Sequence, residues 1–145
     1  MAHQLSAGIR AGIAYAATVF GIGFLLGAAR VLLLAPRVGA TIAVLVETPL
    51  ILAASWYAAG FWMKRLAVGA EIRTRILVGA VAFMTLMALE VALSVSLFHR
   101  SAGEYLAGLL SAAGGIGLAA QVCFATFPLC QAIVRGDRPH RQSIR

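Results

Sequence analysis

The sequence predicts an all-α polytopic membrane protein, with four transmembrane helices in an up-down antiparallel bundle, and three observations lead there. The 145 residues are 61% hydrophobic and only 12% charged, with a mean hydropathy of +0.92, too apolar for an ordinary soluble domain. Four apolar runs of membrane length succeed one another along the chain, each able to cross a core of about 30 Å as a helix. The basic residues sit beside these runs in short clusters. The net charge of +7 and pI near 10.8 therefore fit membrane flanks, and nucleic acid is not an expected partner. With no linker, repeat or low-complexity tract, residues 1–145 read as one integral membrane domain.

The first helix is expected at about 11–34, with Arg30 near its end. Its apolar run is longer than a secretory h-region and another apolar segment follows at once, so an uncleaved helix is expected. Ala35-Pro36-Arg37 is expected to turn the chain, because Pro36 suits the first turn of a following helix and biases Ala35 away from helical geometry. The second helix, about 38–63, carries Trp56, Tyr57 and Trp62 before Lys64 and Arg65, the aromatic-then-basic order of a membrane interface. A basic loop at 64–75 is expected to lie along the headgroups as a short amphipathic turn. The third helix is expected at about 76–98, the fourth at about 105–134, and a basic tail at 135–145.

Orientation follows from the basic residues. Arg10, Lys64, Arg65, Arg73, Arg75, Arg135, Arg138, Arg141 and Arg145 fall on one side, against Arg30, Arg37 and Arg100 on the other. Positive loops stay cytoplasmic, so both termini are expected there, in a bacterial inner membrane.

Chemistry concentrates at 43–55, AVLVETPLILAAS, where Glu47 and Pro49 interrupt an apolar run. A charge at this depth costs roughly 2.5 to 3.5 kcal/mol on insertion scales and ordinarily lines a cavity or meets a partner. Pro49 removes one backbone donor and crowds the Leu45 carbonyl, so a helix kink is expected there. A second kink is expected at Pro128, which frees the Phe124 carbonyl. At 1.5 Å per residue, Arg30, Glu47 and Glu90 lie roughly 9 to 15 Å below one membrane face, in a single layer. Two acids then share one base. If Arg30 clamps Glu47, Glu90 is left either holding a proton or holding a cation, and is the expected functional acid. The competing expectation is that Glu90 merely hydrogen-bonds between helices.

No Ser/His/Asp or Cys/His set and no metal-ligand cluster shares one depth, so neither catalysis nor a cofactor nor a metal is expected. Cys123 and Cys130 are seven residues apart on one helix, about 10 Å along its axis, too far for a disulfide. Small residues form stripes along the four helices, with Gly23 and Gly27 as a packing pair and Gly108, Ser111 and Gly115 on the fourth helix.

Gly21-Ile22-Gly23-Phe24-Leu25-Leu26-Gly27-Ala28-Ala29-Arg30 resembles the glycine-rich first helix of the small four-helix fluoride channels. The resemblance ends at that helix, since the chain contains no Asn where that family carries one. The small multidrug transporters are similar in size, but their essential acid lies in the first helix. Arg30, Pro36, Glu47 and Pro49 together resemble an uncharacterised group of small bacterial four-helix integral membrane proteins. That resemblance covers the first 65 residues and implies a fold but no activity.

Two functions are expected to compete. One is proton- or ion-coupled transport or permeation through the Arg30, Glu47 and Glu90 site, which implies a homo-oligomer in the lipid bilayer. The other is a non-catalytic accessory or assembly subunit whose charged layer pairs with helices of a membrane-protein complex.

Overall fold

The computed structural model describes residues 2–99 and 101–136. These residues are helical almost throughout, without a strand among them. Helix α1 (Ala2–Ala29) passes through a π-helical turn (Arg30–Leu34) into a short α2 (Ala35–Val38). After these come α3 (Ala40–Arg65), α4 (Ile72–Phe98), α5 (Ala102–Gly108) and α6 (Ala112–Gly136). Four stretches, His3–Val38, Ala40–Arg65, Ile72–Leu97 and Ala112–Val134, are long and apolar enough to cross a membrane.

The first turn is not at Ala35-Pro36-Arg37. Pro36 has no N–H and its ring crowds the Leu32 carbonyl, yet the helix widens there instead of ending. The Ala35 N–H reaches back five residues to the Arg30 carbonyl, and Arg37 folds back to donate to the Leu33 carbonyl. The chain reverses three residues beyond Pro36, at Gly39, whose φ of +82° suits a residue without a Cβ.

Helix α1 also starts well before residue 11. Hydropathy marks the stretch that matches hydrocarbon, whereas a helix continues as long as its backbone pairs and its side chains find neighbours. Ala7 and Gly8 are buried, and Gln4 Oε1 accepts the Gly69 N–H at 3.0 Å. The expected basic loop shrinks accordingly, because α4 begins at Ile72 and takes Arg73 and Arg75 into the helix. Arg75 is buried and donates to the Val68 and Gly69 carbonyls at 3.1 and 2.8 Å. It holds the loop in shape.

The expected fourth helix is two helices. Ser101 and Glu104 form a reciprocal capping box that starts α5, the S-x-x-E pattern that the sequence displays. Ser111 then starts α6, its hydroxyl accepting the Gly114 N–H at 3.0 Å. The apolar run hides this break, since 109–110 are both Leu and only the Gly108 and Ser111 flanks mark it. The tail from 137 onward and Arg100 lie outside the described residues.

Helix α1 packs against α3 and α4, and α6 packs against the same two, so the ring order is α1, α3, α6, α4. Two apolar clusters fill it. One holds Tyr15, Val19, Ala59, Leu86 and Phe124, and the other Ala11, Met63, Val68 and Val78. Backbones approach closely where side chains vanish: a Cβ on Gly12 would stand 2.9 Å from the Val78 carbonyl oxygen, and one on Gly79 would collide with the Ala125 carbonyl. Trp62, expected at the interface, turns inward and donates to Thr18 Oγ1 at 2.9 Å, while Tyr57 stays exposed.

Pro49 and Pro128 sit inside α3 and α6, which run on through them. Pro128 is fully buried. The Phe124 carbonyl that it strips of its helical donor accepts the Tyr15 hydroxyl at 3.0 Å, and the two rings stack with centroids 4.3 Å apart. Pro49 is exposed.

Candidate functional site

Beside the first cluster, whose Val19, Leu86 and Phe124 form part of its wall, the ring opens into a cavity of about 410 Å³. Arg30, Glu47 and Glu90, the three charges read as one layer, all line it. Counting from the true turn explains the match in depth. Arg30 lies nine residues before Gly39 and Glu47 eight after it, about 12 to 14 Å along each helix.

Arg30 opens the π-helical turn. A wide turn inserts about one extra residue, or about 100° of rotation, between the faces before and after it. Pro36 thus bears on where Arg30 is presented. Its Nε lies 2.5 Å from Glu47 Oε2, with the two side chains 27% and 16% exposed. A half-wet ion pair of this kind is neutral as a unit.

Glu90 is held differently. Gln121 Nε2 donates to its Oε1 and Oε2 at 2.7 and 2.8 Å, and the Tyr105 hydroxyl donates to Oε2 at 2.5 Å. Both donors are neutral. Tyr105 lies on α5, outside the four long apolar helices, and burial, reinforced by Glu90, raises its phenol above the ordinary tyrosine value, so it remains a donor. Gln121 Oε1 is buried and takes no hydrogen bond from any described residue.

The break between α5 and α6 builds this site. It lets α5 lie against α4 and brings Tyr105 to Glu90, 15 residues away in sequence. It also changes which glycines look inward. Gly108, Gly114 and Gly117 line the cavity, whereas Gly115 and Ser111, expected on the packing stripe with Gly108, lie outside its lining. Thr48 and Ser55, which also line the cavity, return their hydroxyl protons to the Val44 and Ile51 carbonyls of their own helix at 2.8 and 2.7 Å.

Tyr105 and Gln121 are the partners that sequence reasoning missed. Gln121 carried a signal, as an amide within an apolar run that otherwise needs none. Tyr105 carried none, because it stood at the expected start of the fourth helix, away from the layer of the charges. Cys123 and Cys130 are free thiols, away from the cavity lining.

No family model, curated protein or solved structure matches the chain.

Proposed function

We propose that this chain is a small integral membrane transport protein that passes a proton or a cation through the Arg30, Glu47 and Glu90 site. One observation carries the reading: Glu90, a carboxylate within an apolar helix of membrane length, lines an open cavity with only neutral hydrogen-bond donors on it. A charge so placed is expensive in a bilayer unless it does something there. The groups facing it are Tyr105 from α5, Gln121 from α6, and the Arg30–Glu47 pair across the cavity.

Glu90 can exchange its counter-charge without rebuilding the site. Gln121 donates through Nε2 to the carboxylate; after a half-turn of its amide, Oε1 would accept from the carboxylic acid instead. Arg30 and Glu47 neutralise each other, so the exchangeable charge stays on Glu90.

The finer picture is an up-down bundle crossing a bacterial inner membrane with both termini cytoplasmic. It is supported by contacts that pair rising with falling numbers, Thr18 with Trp62 and Arg30 with Glu47, and by the nine-to-three division of Lys and Arg. A homo-oligomer in the lipid bilayer would complete the walls of a cavity that one chain leaves partly open.

The test is flux in reconstituted vesicles under imposed pH or cation gradients. Wild type should carry current or proton flux, and Glu90→Gln, which keeps shape and hydrogen bonding but fixes a neutral group, should abolish it. Absent flux from wild type under every gradient, or equal flux from both, would favour the accessory-subunit reading.

A further inference from the structure

We infer that the cavity is a binding site for a small organic monocation with N–H donors and an apolar body, an alkyl or aralkyl ammonium, with Glu90 as its counter-ion. The inference deepens the transport reading and rests on it for the meaning of the site, though not for its chemistry.

Size is the first argument. At about 410 Å³ the cavity falls in the range of about 300 to 1,000 Å³ typical of small organic ligands. A proton needs no such volume. A bare metal ion needs several oxygens converging on one point at about 2.0 to 2.6 Å, whereas the oxygens here are spread over α3, α4 and α6, with Glu47 drawn toward Arg30 and Glu90 toward its two donors.

Polarity is the second. The wall presents acceptors in the Glu90 carboxylate and in the hydroxyl oxygen of Thr48, whose proton is already spent on its own helix. The charged donor, Arg30, is paired through Nε with Glu47. The carboxylate left over, Glu90, favours an occupant that donates. A carboxylate or phosphate ligand would meet two acids and a base that is already neutralised, which is unfavourable at any dielectric.

The third argument is the apolar remainder. Leu52, Leu86, Leu118 and Phe124 line the cavity beside these acceptors, and Gly108 and Gly117 leave open space where side chains would stand. Hydrocarbon fills that volume better than water does. The predicted pose sets the ammonium on Glu90 and lays the apolar body along Phe124 and Leu118.

The experiment titrates the full chain in mild detergent with benzylammonium, benzyl alcohol and benzoate, read by calorimetry. Benzylammonium should saturate a single site, about tenfold or more tighter than benzyl alcohol, and benzoate should show no saturable binding. Glu90→Gln should weaken benzylammonium by about tenfold or more. Gly117→Leu, which fills the cavity without touching a charge, should do the same, and it decides the matter if the Glu90 variant fails to give a monodisperse protein. Equal binding of benzoate or benzyl alcohol, unchanged binding in either variant, or no saturable binding of benzylammonium overturns the inference. Proton or cation flux that depends on Glu90 while benzylammonium does not bind would overturn the ligand class and keep transport. Glu90-dependent binding without any flux would keep the site and overturn transport.

Discussion

The two halves of the bundle use the same small residues to opposite ends. In the half around Tyr15 and Val78, a missing side chain lets backbones touch: a Cβ on Gly12 would lie 2.9 Å from a facing carbonyl, and one on Gly79 would overlap another. In the half around Glu90, Gly108 and Gly117 have nothing within 4 Å of where a Cβ would stand, and the close approach there is Gly114, whose Cβ would collide with the Gly108 carbonyl at the α5–α6 break. Glycine alone therefore does not say whether helices pack or part. What separates the halves is charge and chain breaks. The packed half holds a buried tyrosine that satisfies the one carbonyl stripped by Pro128. The open half holds an ion pair and an acid, a π-helical turn at Arg30 and the α5–α6 break, all of which resist close packing.

The largest effect should come from stranding a charge in the open half. Arg30→Ala or Glu47→Ala each leaves one half-buried charge without its partner; a fully buried pair costs roughly 3 to 5 kcal/mol to break in soluble proteins, and a half-exposed one less. Thermal unfolding in detergent should show the double variant less destabilised than either single one. Additive losses would mean that the pair carries no coupling energy.

Next comes overpacking in the dense half. Gly79→Val drives a branched side chain into the Ala125 carbonyl, and forced repacking of this kind costs about 1 to 3 kcal/mol or more. Trp62 lies against both clusters, so its fluorescence during unfolding is a suitable readout. A variant as stable as wild type would show that α4 and α6 slide apart freely, and the contrast between halves would fall.

Tyr15→Phe is subtler. It keeps the stacked ring but returns the Phe124 carbonyl to an unsatisfied state, and a buried acceptor left unpaired costs about 1 to 3 kcal/mol. Hydrogen exchange of the α6 amides near Pro128 should rise. Unchanged exchange and unchanged melting would show that the carbonyl finds another donor.

The smallest effect should be Gly117→Ala, the open-half counterpart of the Gly79 change. With no neighbour to meet, the added methyl should gain about 0.5 to 1 kcal/mol of helix stability. A destabilised variant would mean that this half closes in solution, and the cavity would have to be redrawn.

Much of this architecture was legible in particular residues. Arg30, Glu47 and Glu90 were placed in one layer by counting residues along helices, and they line one cavity. The Phe124 carbonyl was expected to lose its donor to Pro128, which it does, though nothing local pointed to Tyr15, 109 residues away, as the replacement. The turn at Gly39 was read three residues early because proline is a strong local breaker, while the π-helical turn that absorbs it depends on how the helix sits against α3. The fourth helix was read as continuous because Leu109 and Leu110 carry the apolar run across a break that Ser111 caps.

What the sequence determined by itself is four apolar helices and the depth of their charges. Both are one-dimensional properties: hydropathy is summed along the chain, and a helix rises by a fixed step per residue. What only the tertiary structure decided is who meets whom. Gln121 and Tyr105 reach Glu90, one set of glycines packs while another lines a cavity, and Arg75 turns inward to hold a loop, because each of these depends on the rotation of one helix against another. Rotation is fixed by the fit of side chains from several helices at once, which no single stretch of chain contains.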